Sequence, residues 1–347
     1  MDGTLFTVCI RCATYNQERF ILDAMEGFVH QETGFPFIAV IVDDASTDAT
    51  PSVIRKYLTD HFHEEPIPLD TKVGSKGEVV YARHNENGDC HFAVVFLNEN
   101  HYQRGHSIRP YVDAWADRSP YFAFCEGDDY WTDPLKLRKQ VGFLEAHGDY
   151  VLCCTAFSQT IDGDEQDKTD IVFKPEDISI DNLLEEYWIG SLTAVFKKSA
   201  IEGYRPPFEH LPMGDLPLWC HLATKGRIRY LFDITANYRI VKNSACHFTD
   251  IKKEYAFEIE AMRVREYYAI REGRLDVAQP NFRKKAQFIL RQCYRFHWKD
   301  FPLDKLWHFV KEYGDPSGYD KLKFWGLRSD LNYSISRLIL RIKKKSL

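Results

Sequence analysis

The sequence predicts an α/β protein: a mostly parallel sheet flanked by helices, with a helical extension at the C-terminal end. Three observations carry that prediction. Apolar strand-like runs alternate with segments of helical periodicity from Phe6 onward, the β-α-β-α order of a parallel sheet with helices on its faces. Two of those runs, Phe37 to Val42 and Tyr121 to Cys125, stop abruptly at acidic residues. From about Glu254 the composition changes to charged, aromatic segments with helical spacing. Residues 1–250 therefore read as one α/β domain and residues 251–347 as a helical extension.

Composition narrows the function. With 347 residues, 44% of them hydrophobic, the chain can bury a sizeable core. A net charge of −6 argues against nucleic-acid binding by phosphate neutralisation, although the total hides a basic C-terminus. Nine cysteines are an odd number for a disulfide framework, and Cys9, Cys12, Cys125, Cys153 and Cys154 lie in apolar runs. That usage suits reduced, buried thiols in a cytoplasmic protein. Met1 leads through Asp2-Gly3-Thr4 straight into a strand, without a signal segment, and no apolar run is long enough to span a membrane. The expectation is a soluble intracellular protein, in contact with the inner face of a membrane at most peripherally.

The elements follow in order. Phe6 to Cys12 is a strand, Tyr15-Asn16 a turn, and Gln17 to Gln31 a helix through Phe20, Ala24 and Phe28. Phe37 to Val42 is a buried strand ending at Asp43-Asp44. Thr50-Pro51 then starts a helix from Ser52 to Leu58. Glu78 to His84 and His91 to Leu97 read as a hairpin across Asn87-Gly88-Asp89. After polar residues 98–109, a helical segment Tyr111 to Ala116 leads into the strand Tyr121 to Cys125. A helix from Pro134 to about Ala146 follows, then strands Val151 to Phe157 and Ser191 to Phe196, with the acidic stretch Asp162 to Asp170 between them read as a loop. Met213 to Pro217 precedes a helix to Ala223, and Ile228 to Tyr238 and Val241 to Thr249 return to strand character. The extension offers helices at Glu254 to Glu272, Phe282 to Trp298, Asp304 to Tyr313 and Leu331 to Lys345.

The chemistry concentrates at the strand tips. Glu126, Asp128 and Asp129 put three carboxylates within four residues at the end of a buried strand, where they repel and desolvate badly without a cation. A hard divalent ion such as Mg²⁺ takes one or two carboxylates plus substrate phosphates. In an open parallel sheet both acidic tips fall on the edge where ligands bind. Asp43-Asp44 either caps a turn or accepts hydrogen bonds from a nucleobase or ribose. Tyr130 and Trp131 are either core aromatics or a stacking platform for a sugar. Asp215 is either a helix N-cap or a general base. His247 reads as a structural histidine, with a metal or phosphate role as the alternative. The Leu331 to Lys345 helix either packs on the body or lies on anionic lipid.

Several chemistries are excluded. The first βα turn lacks a glycine triplet and no Walker-type loop exists, which removes dinucleotide and P-loop sites. Asp2-Gly3-Thr4-Leu5 comes too early to follow the buried strand that an aspartyl-phosphate phosphohydrolase needs. Cys9 and Cys12 are an odd number of residues apart on a strand, so they face opposite sides and make no zinc pair.

Taken together, Val8-x-Ile10 with Ala13 to Glu18, Val42 to Asp48, and Cys125 to Trp131 resemble the bacterial family-2 glycosyltransferases of the GT-A fold, in the family's order and spacing over roughly residues 5 to 250. The resemblance implies a nucleotide-diphosphate-sugar donor, a glycan or lipid-linked acceptor in surface polysaccharide synthesis, and inversion at the anomeric carbon. It implies that Thr14, Asn16 and Glu18 line the nucleotide pocket and that Asp44 meets the base. Glu126-Gly127-Asp128 stands at the Asp-x-Asp metal motif, with Asp128 the direct ligand of Mg²⁺ or Mn²⁺ and Glu126 a departure from the usual Asp. Gly214-Asp215 looks like the family's acidic motif, which makes Asp215 the base candidate. Asn100 to Gly105 replaces the usual Asn-x-Gly segment at a longer spacing. A metal-dependent nucleotidyltransferase is the rival reading, but Ala13 to Arg19 lacks its Gly- and Arg/Lys-rich triphosphate loop. An inactive nucleotide- or glycan-binding protein is the rival from another class, and the presence of Asp128 and Asp215 speaks against it.

Overall fold

A computed structural model describes residues 5–161, 164–172, 175–185, 189–241 and 249–345. Among them twelve strands join one mixed sheet: β1 (Val8–Thr14), β2 (Phe37–Asp43), β3 (Phe62–Glu64), β4 (Gly77–His84), β5 (Cys90–Leu97), β6 (Tyr121–Phe124), β7 (Tyr130–Trp131), β8 (Tyr150–Ile161), β9 (Asp164–Ile171), β10 (Asp177–Ile178), β11 (Val195–Lys197) and β12 (Arg227–Ile240). The order is β10-β12-β8-β11-β6-β1-β2-β5-β4-β3, with β7 on β12 and β9 on β8. Its centre, β6-β1-β2-β5, is parallel, while β4, β11 and the edge strands run antiparallel to their neighbours. Every residue of β2 is buried, as expected of a central strand covered on both faces.

The helices are α1 (Ile21–Val29), α2 (Thr50–His61), α3 (Arg109–Ala116), α4 (Lys136–Ala146), α5 (Ile180–Leu184), α6 (Asp215–Ala223), α7 (Ile251–Arg271), α8 (Leu275–Phe296), α9 (Leu303–Tyr313), α10 (Gly318–Leu327) and α11 (Asp330–Lys345). Helix α1 begins four residues later than its periodicity suggests. The amides of Gln17 and Glu18 donate sideways, to Thr50 Oγ1 at 2.8 Å and Asp48 Oδ2 at 3.1 Å, and Phe20 N and Ile21 N both return to Gln17 O, so residues 18–20 form a turn that leads into the helix. The acidic stretch read as a loop instead forms β9 from Asp164, paired antiparallel with β8. Its residues are largely exposed, so it carries no apolar alternation to betray a strand. Helix α10 also escaped the periodicity, although its capping box, Ser317 with Asp320, is visible as Ser-x-x-Asp.

The chain divides into two compact units. Met1–Ser179, Trp188–Arg205 and His221–Ser244 form the first; Ile180–Tyr187, Pro206–Cys220 and Ala245–Leu347 form the second. Within the first, α1, α2 and α4 cover the sheet over a core that includes Ile10, Phe28, Ile41, Phe92 and Trp131. Because β1, β2, β5 and β6 run parallel, their carboxyl ends at Thr14, Asp43, Leu97 and Phe124 share one edge. All eight cysteines among the described residues are buried and unpaired.

Candidate active site

The site is built from turns that leave the parallel edge and bond to one another. Asp44 N donates to Thr14 O and Gly127 N to Ala13 O, both at 3.0 Å, so the ends of β2 and β6 are tied to β1. Gly127 allows that approach. A Cβ there would lie 2.5 Å from Gln17 Oε1 and 2.9 Å from Thr14 Cβ and Oγ1, distances that no side chain tolerates. Asn16 and Glu18 stitch the β1 turn to the β2 turn: Asn16 Oδ1 accepts from Thr47 N at 2.7 Å, and Glu18 Oε2 from Ala49 N at 2.8 Å. Asn16 and Ala45 hold positive φ, at 53° and 59°, to make these turns. Both exposed side chains, Asn16 and Glu18, thus hold the rim in shape.

The three acids of the tip have three different environments. Glu126 is ion-paired with Arg11 through one carboxylate oxygen, and the other accepts from Ala13 N at 2.9 Å. Asp129 is buried, accepts from Arg239 N at 2.8 Å, and is pushed well above the usual carboxylate range by burial and then by the Asp128 charge. Asp128 is pushed up to about 6, first by burial and then by the Glu126 charge, against a hydrogen bond from Gln17. Arg239 crosses this cluster. It donates to Asp128 O at 3.1 Å, pairs with Asp23, and lies 4.3 Å from the Tyr130 ring centre.

Asp44 is buried, and its two carboxylate oxygens accept from His101 N at 2.7 Å and Tyr102 N at 3.0 Å. Each of its oxygens thus already holds the loop after β5 by one backbone bond. The neighbour Asp43 lines a cavity of about 440 Å³ with Ser46, Thr47, Arg55, Glu78 and Asn98. Burial raises the Asp43 carboxyl above its ordinary range, and its Oδ1 has no hydrogen-bond partner among the described residues. Thr14 Oγ1 and Gln17 Oε1 are likewise buried without partners. These three acceptors sit around one rim.

Trp131 is core rather than platform. It is 4% exposed, meets Phe28 edge to face at 5.1 Å, and donates from Nε1 to Leu192 O at 2.8 Å. Tyr130 is half-buried beneath the Arg239 guanidinium, leaving less of its face for a ligand. Asp215 opens α6, where its Oδ1 accepts from the Leu216 amide at 2.8 Å; it belongs to the second unit. His247 falls among residues 242–248, outside the described residues.

Sequence reading missed Arg11, Gln17 and Arg239, and of the pair Asp43-Asp44 it carried only Asp44 forward. A cation inside an otherwise apolar strand was a usable signal for Arg11. Arg239 had none, because its place over the acidic tip depends on β12 pairing with β7 across more than a hundred residues.

The resemblance to GT-A glycosyltransferases implies a divalent cation, and the residues fit one of a particular kind. Among the described residues no three His, Cys, Asp or Glu side chains converge as a metal cage. Glu126 is paired with Arg11 and accepts from Ala13 N, so each of its oxygens already holds one partner. Asp128 remains, a carboxylate whose charge its surroundings penalise. That suits an ion held by one carboxylate and by the phosphates of a substrate.

The sheet with its covering helices has the GT-A fold of glycosyltransferases. S. aureus TarS, residues 1-349, superposes with a TM-score of 0.58 at 16% identity, over 97% of this chain and 92% of that one. Its complex with UDP-GlcNAc gives 0.57 at 15% identity, over 96% of this chain and 87% of that one. In sequence, the description "Glycosyl transferase family 2" matches residues 9–202, more than half of the chain, and the chain belongs to that family. An uncharacterised protein of Mycobacterium tuberculosis is 32% identical over 251 residues, 69% of this chain and 61% of that protein. The chain thus spans about three fifths of that relative's length. TuaG of Bacillus subtilis, whose name assigns it to teichuronic acid biosynthesis as a glycosyltransferase, is 26% identical over 242 residues, 68% of this chain and 80% of its own.

Proposed function

We propose that this protein moves a sugar from a nucleotide-diphosphate sugar to a glycan or lipid-linked acceptor in surface polysaccharide synthesis, inverting the anomeric carbon. The observation that carries the reading is the set of buried, unpartnered acceptors, Thr14 Oγ1, Gln17 Oε1 and Asp43 Oδ1, around one sheet edge. Buried polar atoms of that kind cost roughly 1–3 kcal/mol each unless a ligand satisfies them. Three together favour a polar ligand with several donors. A nucleoside has them in its base and ribose hydroxyls. The cavity beside Asp43, at about 440 Å³, falls within the usual range for small-molecule sites. Asp43, rather than Asp44, then meets the nucleoside. TarS, solved with UDP-GlcNAc, and TuaG of teichuronic acid biosynthesis supply the analogy for donor and acceptor class.

The chain's own groups divide the work. Asp128 would hold Mg²⁺ or Mn²⁺, which when bound neutralises the departing diphosphate as a Lewis acid. Arg11 keeps Glu126 paired and away from that task. Arg239 fixes Asp129 and the backbone of Asp128, so the one carboxylate left is held in place. Asp215 takes the proton of the acceptor hydroxyl as its oxygen attacks the anomeric carbon opposite the diphosphate. Attack from that side inverts the centre without an enzyme-bound sugar.

The test is a thermal-shift panel of nucleoside diphosphates and nucleotide sugars, with and without Mn²⁺, followed by NMR assignment of the product's anomeric configuration. Stabilisation by a diphosphate in Mn²⁺ and an inverted product are expected. Stabilisation by nucleoside triphosphates alone, with pyrophosphate release, would instead make the protein a nucleotidyltransferase.

A further inference from the structure

Helix α11 is mounted inside out. Ser336 is fully buried and shares a 2.8 Å hydrogen bond with the Tyr294 hydroxyl. A Cβ on Gly326 of α10 would collide with Ser336 Oγ, so the two helices touch through their smallest residues. Tyr333, on the same side, stacks on His297 with ring centres 3.7 Å apart. The opposite side carries Leu331, Ile335 and Leu338, at 71%, 41% and 60% exposure. Their spacing of four and three residues draws one straight apolar stripe along the helix. An amphipathic helix normally buries that stripe. Here the side of Tyr333, Ser336 and the half-buried Leu340 packs, and the stripe faces water.

Charge selects the occupant. Residues 251–347 hold 22 Lys and Arg against 12 Asp and Glu, a net +10, in a chain whose total is −6. On α11 itself Asp330 is followed by Arg337, Arg341 and Lys343 to Lys345, so the cations gather toward its end. No helix among the described residues is long and apolar enough to cross a membrane. An apolar stripe with flanking cations is instead the pattern of a helix lying in the plane of an anionic lipid surface.

We propose that the outward face of α11 is a docking surface for an anionic bilayer, with Leu331, Ile335 and Leu338 entering the headgroup boundary and the basic residues meeting lipid phosphates. The inference does not depend on the transferase reading, because binding to lipid is measured without donor or acceptor.

The experiment is flotation of the full chain with vesicles of phosphatidylglycerol and phosphatidylcholine at about 1:2, a composition that gives an anionic surface. Wild-type protein is expected to float with these vesicles, and binding should fall by about tenfold or more on phosphatidylcholine alone or in high salt. The triple variant Leu331→Ser, Ile335→Ser, Leu338→Ser should lose about tenfold or more of the binding while keeping the wild-type melting temperature. Should the triple variant fail to fold, Leu338→Glu alone should give the same loss. Undiminished flotation of either folded variant overturns the proposal, as does a wild-type chain that ignores anionic vesicles. Light scattering completes the test: a concentration-dependent dimer in solution that the triple variant abolishes would assign the face to a second copy instead.

Discussion

Arg11 and Glu126 form an ion pair that joins the middle of β1 to the turn after β6. The consequence is a division of labour among three neighbouring acids. Both Glu126 oxygens have partners, so neutralising it should disturb stability more than metal use. Glu126→Gln keeps an oxygen for Ala13 N and loses only a pair that is about a third exposed, a cost of about 1 kcal/mol. Arg11→Met leaves the Glu126 charge beside Asp128 and should cost more, about 2–3 kcal/mol. Urea unfolding of both variants measures the order. Mn²⁺-dependent binding of the nucleoside diphosphate should survive Glu126→Gln and fall by about tenfold or more in Asp128→Asn. Equal losses in those two variants would return Glu126 to the ligand set.

Asp44 binds a loop, so its replacement should loosen that loop. In Asp44→Ala the amides of His101 and Tyr102 lose their carboxylate acceptors in a buried place. The expected loss is about 1–3 kcal/mol of stability. Donor KM should rise while kcat changes little, because the loop after β5 borders the cavity beside Asp43. Asp43→Asn should raise KM as well but leave stability near wild type, since its Oδ1 has no partner to lose.

Gly127→Ala tests the close approach of the acidic tip to β1. The added methyl would meet Gln17 Oε1 and the Thr14 side chain well inside van der Waals contact. The tip must move, and a shift on the order of 1 Å at a reacting centre costs about a hundredfold in rate. Stability should fall by about 1–3 kcal/mol from overpacking. Steady-state kinetics with a parallel thermal melt separates the two effects.

The parallel centre of the sheet was legible because β1, β2 and β6 are short apolar runs that end in polar turns. The acidic tips were legible for the same reason, since a carboxylate at a buried strand's end has few structural excuses. Partnering was not legible. Nothing in the residues around Glu126 says that Arg11, rather than a metal, takes its charge, because that depends on β1 and β6 lying side by side. Asp43 and Asp44 are adjacent and chemically alike, yet one lines a cavity and the other binds a loop. Only the backbone direction after Asp43 decides which. Trp131 looked available beside charged neighbours, but the pairing of β7 with β12 turns its ring into the core.

Lys136 predicts a pH dependence. It is fully buried, donates to Gln140 Oε1 and to Thr193 O at 3.1 Å, and lies 4.7 Å from the Trp131 ring centre. Burial pushes its ammonium down from 10.5 to about 8. The folded protein therefore releases this proton before the unfolded chain does. Between pH 8 and 10.5 the unfolded chain binds more protons, so this residue's contribution to stability rises with pH, by about 3 kcal/mol in full. Buried thiols such as Cys153, pushed up to about 12 by burial, act in the opposite sense above pH 9. The measurement is thus a difference: the stability of wild type minus that of Lys136→Met should grow by about 3 kcal/mol across that interval. A flat difference would mean that the lysine keeps its proton in the fold.

Asp215 carries the proton transfer in the proposed reaction, and its variant separates chemistry from binding. Asp215→Asn keeps the shape and an oxygen for the Leu216 amide, so α6 should start as it does now. The amide cannot take a proton from the acceptor hydroxyl. General-base removal of this kind costs about 10²- to 10⁴-fold in kcat. Donor affinity should stay within about twofold of wild type, because an interaction made only in the transition state leaves ground-state binding unchanged. Isothermal titration with the nucleoside diphosphate and single-turnover transfer from the sugar donor give the two numbers. Loss of both affinity and rate would place Asp215 in donor binding, and an unchanged rate would leave it only the structural role of opening α6.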